Sequence, residues 1–397
     1  AEFNNRQSGR RLDNLNGTVT FKGQQAKFES VSFRTGASSF AINGVVANVF
    51  EPNATYELRS PLVNLADLPI PNLGANLLFN NVSLNGRAEL ADGAIRILGT
   101  VNSPGGNLGQ LDYRELRSDV TFSQNGFSFK NLSLRTFDGL LRTEGSLVVT
   151  ASGSHRLQLT AQADDLELNR IMAQLVPTIG DRLTGQLDGR GQFTVTTAEA
   201  GKAGNNLAGA GRAAIDRGMI RNFNLVSQLL LRGSGSTVSS ETTARLSPGF
   251  AKLLTRSDTA LDSLRADFIV EGQRLRSENL VITTPDYTIT GAGWIGFDRS
   301  TNWNGMIVLS PRVTQEVQRD YRILRYLLDR RGRLAITFRL DGTIPNVRIR
   351  LDNRALAQAL RGSTARADGG ETVERPNQDA GESRRWLPDA LERFLRR

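Results

Sequence analysis

Strict alternation of apolar and polar residues, reset every 8 to 12 positions by glycine- and asparagine-rich breaks, most limits how this chain folds. Val19 and Phe21 sit between polar neighbours, as do Phe40 and Ile42, Val120 and Phe122, and Leu157 and Leu159. A strand places successive side chains on opposite faces, so this pattern gives each strand one apolar and one wet face. The spacing of the breaks predicts an antiparallel meander. The 39 glycines, about a tenth of the 397 residues, match the demand for tight turns.

The meander also repeats. The intervals from Leu15 through Val19, Phe21, Val31 and Phe33 to Gly44 recur from Leu116 through Val120, Phe122, Leu132 and Leu134 to Gly145. A third copy runs Leu264, Phe268, Val270, Leu280, Ile282 and Gly291, two residues shorter before its glycine. Within the second copy the alternation slips by one residue at Lys130-Asn131. A β-bulge there keeps Phe127, Phe129, Leu132 and Leu134 on one face and bends the strand. Such bends, repeated on one face, predict a curled trough.

Helical periodicity is confined to short stretches: 166–176, 220–231, 313–328 and 353–361. Residues 196–208 read as a loop and 362–383 as a flexible linker. Trp386 to Leu395 forms an amphipathic helix with Pro388 in its first turn, able to dock on a membrane, a partner helix or the body. No run reaches the ~18 apolar residues of a membrane span. The chain opens Ala1-Glu2-Phe3 without a start methionine or signal pattern, and reads as a piece of something larger.

Composition removes much chemistry. There is no cysteine and only one histidine, His155, so thiolate nucleophiles, cysteine zinc sites and imidazole shuttles are excluded. The segment from Gly291 to Gly296 has the GxGxxG spacing, yet a dinucleotide site needs a helix to follow and a hairpin turn is what the text offers. Asp164, Asp165 and Glu167 are the densest acidic group. Preceding a helical stretch, they are expected to cap it rather than to run acid/base hydrolysis. The net charge of +9 rests on 49 basic residues, 44 of them arginine, mostly interleaved with acids as on a solvated surface. Arg319, Arg322, Arg325, Arg330 and Arg331 lie around a basic amphipathic stretch. They are candidate headgroup or membrane contacts, or the outside of a helix packed on the sheet. Nucleic acid is not expected as a partner, because the strand faces lack aromatics interleaved with basic residues.

The block Leu207-Ala208-Gly209-Ala210-Gly211 through Asp216-Arg217-Gly218 to Asn224-Leu225 resembles the C-terminal region of the AsmA family. So does the later run Ile289-Thr290-Gly291-Ala292-Gly293, closed by Leu340-Asp341-Gly342-Thr343-Ile344-Pro345-Asn346-Val347. The resemblance covers about 207–352 well, and the upstream meander is similar to the more degenerate body of AsmA and TamB proteins. It implies a periplasmic, non-enzymatic, bridge-type lipid-transfer protein, held to the inner membrane by an N-terminal helix that this chain lacks. It also implies a role in outer-membrane lipid homeostasis and assembly, with phospholipid, membrane and outer-membrane assembly proteins as partners.

The expected fold is mainly β: an elongated, curled antiparallel β-meander forming a repeating β-groove, with a few short capping α-helices. Residues 1–80 and 81–182 form two repeats, 183–352 the AsmA-like region, 353–383 a short helix and linker, and 384–397 the terminal helix. The groove is expected to be lined by Val19, Phe21, Val31, Phe33, Phe40, Ile42, Val120, Phe122, Leu132, Leu134, Phe268, Val270, Leu280 and Ile282. No cofactor or catalytic residue is expected. A scaffold for outer-membrane proteins, working through exposed strand edges, is the alternative. A carbohydrate-active solenoid is disfavoured, since neither a short coil period nor a face of clustered acids is present.

Overall fold

The computed structural model describes residues 3–5, 10–68, 77–91, 93–109, 111–123, 126–149, 155–175, 182–197, 207–228, 247–320, 327–344 and 346–351. The fold is mainly β and antiparallel, with few short helices, as the alternation predicts. Two compact units divide it: 1–174 with 187–211 and 270–273, and 175–186 with 212–269 and 274–397.

In unit 1 the strands are β1 (Phe3–Asn5), β2 (Arg10–Lys22), β3 (Gln25–Thr35), β4 (Ser38–Val46), β5 (Asn53–Asn64) and β6 (Leu77–Ala91). They continue with β7 (Ala94–Leu108), β8 (Leu111–Ser123), β9 (Gly126–Thr136), β10 (Gly139–Val149) and β11 (His155–Glu167). Each pairs antiparallel with the next, a meander without crossovers. A helix, Leu168–Leu175, follows β11. The strands β12 (Leu183–Thr197) and β13 (Leu207–Ile220) contribute residues to both units.

Unit 2 contains most of β14 (Thr259–Glu271), then β15 (Arg274–Thr283), β16 (Tyr287–Gly296), β17 (Ser300–Leu309), β18 (Ala335–Thr343) and β19 (Asn346–Leu351). From β15 onward these also pair in sequence. Its helices are Leu225–Ser227, Pro248–Thr255 and Pro311–Asp320.

The repeat is visible in the backbone. Asn14 and Glu115 have φ of 56° and 57°, and Ser30 and Asn131 both have 51°. These left-handed residues sit at equivalent places in the first two copies and mark the bulges. The slip expected at Lys130-Asn131 is therefore real, and the register of β8 on β9 shifts beside it. The third copy keeps the register break, which falls between Ser277 and Leu280 as it falls between Phe28 and Val31 in the first. It keeps the turn too, with Gly23 at φ 62° matched by Gly272 at 56°.

The helical expectations need correction. Asp164, Asp165 and Glu167 close strand β11 rather than cap a helix in coil. Asp164 accepts hydrogen bonds from Arg142 and Gln162, and Asp165, at φ 54°, donates its N–H to Asp188 Oδ1 at 2.9 Å. The register with β10 holds them in the sheet, because Leu140 pairs directly with Asp164. Of 220–231 only Leu225–Ser227 is helical among the described residues, since Ile220 still belongs to β13. The helix at Pro248–Thr255 is additional, and Ser247-Pro248, with proline at its start, is the signal for it. Of 313–328 the helical part is Pro311–Asp320. The stretch 353–361, the linker 362–383 and the terminal helix lie outside the described residues.

Candidate functional site: the apolar face of the meander

Residues directly opposite one another in an antiparallel pair point to the same face. The strand register of unit 1 therefore joins side chains into rows that run across the strands. One row reads Phe21, Ala26, Val46, Ala54 and Ala88, then Ile97, Phe122, Phe127, Leu147 and Leu157. It spans ten strands, β2 to β11, without one polar member. At the usual strand spacing of ~4.8 Å it extends about 43 Å along the sheet. The next row on the same face begins Val19, Phe28, Gly44 and Tyr56 and ends Val120, Phe129, Gly145 and Leu159, with Gly86 and Gly99 between. Val31, Ile42 and Leu58 open a third. Between the first two, turned to the opposite face, lie Thr20, Lys27, Val45, Thr55 and Arg87. This face is largely polar.

The aromatic rings lie flat against the floor. Tyr56 reaches over Gly86 and donates its hydroxyl to the Leu98 carbonyl at 3.2 Å. The Phe129 ring occupies the place a Cβ on Gly145 would take, 2.8 Å from its Cζ. Phe122 and Phe127 meet at a tilt of 34° with centroids 4.6 Å apart. Burial pushes the Tyr56 hydroxyl above its ordinary pKa, so it stays neutral in this setting.

The ten expected groove residues from Val19 to Leu134 all fall on this face, but they differ in access. Phe21 is 69% exposed and Val19 44%, while Leu134 is 1% exposed. Phe122, Val31, Phe33, Ile42 and Leu132 are intermediate. Elsewhere on the face the side chains pack into clusters across neighbouring strands, Phe40, Val63 and Val82 in one and Tyr113, Leu116 and Leu134 in another. Phe40, Val120 and Leu134 are thus core rather than accessible lining. Toward the strand ends at Lys22–Gln25 and Ala91–Ala94 the face is more open, and Leu90 and Ile95 join Val19 and Phe21 as exposed side chains.

In unit 2 the apolar face carries a cap. Val226, Phe250, Leu253, Leu254, Val313 and Val317, from the three helices, bury Tyr287, Ile289, Ile307 and Leu309 of the sheet. Ile282 packs against this core and is partly buried, so the helices partly cover the end of β15 where an open groove was expected. Leu280 and Phe268 are half-buried and Val270 is buried. Asp286, in the turn before β16, pins the cap with two ion pairs, to Arg256 Nη1 at 2.6 Å and Arg312 Nη2 at 2.7 Å. Beside it burial pushes the Tyr287 pKa up to about 12. The cleft lined by Asn224, Thr259, Asp286 and Tyr287 has room for about one water, about 10 Å³, and not for a substrate.

Of the arginines, Arg319, Arg330 and Arg331 are exposed, whereas Arg322 and Arg325 lie outside the described residues. Gly291–Gly296 is strand β16, followed by a turn and β17, which leaves no helix N-terminus for a pyrophosphate. Among the described residues no group of three His, Cys, Asp or Glu converges as a metal site, and no helix is long and apolar enough to cross a membrane. No family model, curated protein or solved structure matches the chain.

Proposed function

We propose that the chain holds the acyl part of phospholipid on the apolar face of unit 1 and passes it along that face without catalysis, as the AsmA resemblance implies. On this reading it works in the periplasm and supports the lipid supply and assembly of the outer membrane. The observation that carries the reading is the unbroken apolar row across ten strands, with Phe21 and the neighbouring Leu90 and Ile95 exposed. Burying a methylene gains ~0.8 kcal/mol wherever it lands on such a surface, so a long chain is held without any one specific contact. Headgroups would remain in water beside Phe21 and Ile95.

The test is lipid mass spectrometry on gently purified protein, wild type against Phe122→Asp. Phe122 is half-buried and central in the outer row, so the substitution is expected to strip bound acyl lipid while circular dichroism stays that of a β protein. Equal lipid in both, or none in the wild type, ends the proposal.

A second reading rests on the edge of β2. Among the described residues β1 covers only Arg10, Arg11 and Leu12, and Asn16–Lys22 pair with β3. A client strand could add there. Thr20→Pro would then abolish peptide binding, an effect to which Phe122→Asp is irrelevant.

A further inference from the structure

Charge is unequally shared between the units. Unit 1 holds 18 basic against 19 acidic residues, unit 2 holds 31 against 21. The whole positive surplus of the chain thus belongs to unit 2. A net +4 of it falls in 311–334, with seven arginines against three acids.

Of that segment the structure describes 311–320 and 327–334. Val313 and Val317 anchor the Pro311–Asp320 helix in the cap, and Arg312 and Arg319 stay exposed on its outer side. Leu334 ties the following turn to the same core: it is 2% exposed, its carbonyl accepts from Leu309 N–H, and its own N–H donates to Thr314 Oγ1. The turn itself is closed by Asp329. Oδ1 accepts the N–H groups of Arg331 and Arg333 at 2.9 Å each, and Oδ2 pairs with the Arg333 guanidinium at 2.8 Å. Gly332, at φ 71°, supplies the left-handed step. Asp329 is spent on Arg333, so Arg330 and Arg331 stand at the tip with no carboxylate in ion-pair range among the described residues.

We propose that this tip and the outer side of the helix seat unit 2 on a membrane leaflet rich in anionic phospholipid. Guanidinium forks match phosphate oxygens, and each basic side chain near such a surface adds attraction that salt weakens. A bilayer is the favoured bearer of the phosphates because the cargo proposed for unit 1 resides in one. In that clause the inference rests on the acyl-chain reading, while its test does not.

The full chain is floated with vesicles of phosphatidylcholine alone and of equal parts phosphatidylcholine and phosphatidylglycerol. Arg330→Glu with Arg331→Glu is compared with Lys22→Glu plus Arg156→Glu, exposed residues of unit 1 that change net charge equally. The wild type is expected to float with the anionic vesicles only. The tip variant is expected to lose about tenfold or more in partitioning, and the unit 1 control less than about twofold. Arg330→Gln with Arg331→Gln, which removes the charges without adding acids beside Asp329, should lose about threefold or more and decides the matter where the reversal disturbs folding. Equal loss in the control, equal binding to neutral vesicles, or tip-dependent retention of a short RNA without vesicle binding overturns the proposal. Acyl lipid retained by the tip variant is expected to equal that of the wild type, so failure of either reading shows in a different measurement.

Discussion

Tyr287 and Phe21 are both aromatic strand residues, yet one is 5% and the other 69% exposed. Alternation reports which face a side chain takes, and for both it does so correctly. What covers that face depends on elements distant in sequence. Tyr287 lies under the cap, where its phenol must stay neutral, and its pKa of about 12 exceeds the unfolded value near 10. A raised folded value means that the stabilisation is complete below about pH 10 and disappears as pH climbs towards about 12. Alkaline urea titrations should therefore show the wild type losing on the order of 2 kcal/mol across that window, and Tyr287→Phe markedly less. Equal losses would mean that another group drives alkaline unfolding.

At the scale of the element, the bulges are the working parts. The phase slip at Lys130-Asn131 is legible because two apolar pairs cannot share a face without an extra residue between them. Asn131 takes the left-handed conformation that its side chain tolerates, and its Nδ2 donates to Asp119 Oδ2 at 2.9 Å. That bond, with another from Thr100, holds the Asp119 carboxyl below the usual carboxylate range. Asn131→Val puts a β-branched side chain at positive φ and should cost about 2 kcal/mol in urea denaturation. Asn131→Gly keeps the backbone free and should cost under about 1 kcal/mol. If both cost the same, the lost hydrogen bond rather than backbone strain sets the bulge. Helices were less legible. Asp164 and Asp165 look like caps in the text, but pairing with β10 outweighs the local preference. The Pro248–Thr255 helix is amphipathic over only eight residues, too few for periodicity to stand out.

At the scale of the molecule, the first two repeats superpose in sequence at an offset that carries Ser30 onto Asn131, both at φ 51°. In a meander each strand leans mainly on its neighbours, so stability is close to a sum over adjacent pairs. Excising residues 31–131 joins Ser30 to Leu132 at equivalent points. The shortened chain is expected to unfold cooperatively with a β spectrum and to carry less lipid per molecule. A molten or aggregated product would show that the deep clusters couple repeats more strongly than nearest-neighbour packing allows.

The order of the strands, their faces, the bulge and the recurring unit could all be read from the text, because each follows from local stereochemistry and a two-residue period. The openness of the face could not. Phe40 and Leu134 became core because they pack into clusters with Val63 and Val82 and with Tyr113 and Leu116, and Ile282 was partly covered because helices from 225–320 converge on β16 and β17. Both outcomes depend on surfaces meeting across long stretches of chain. Periodicity carries no information about such meetings, so tertiary packing alone divided this apolar face into sheltered core and accessible groove.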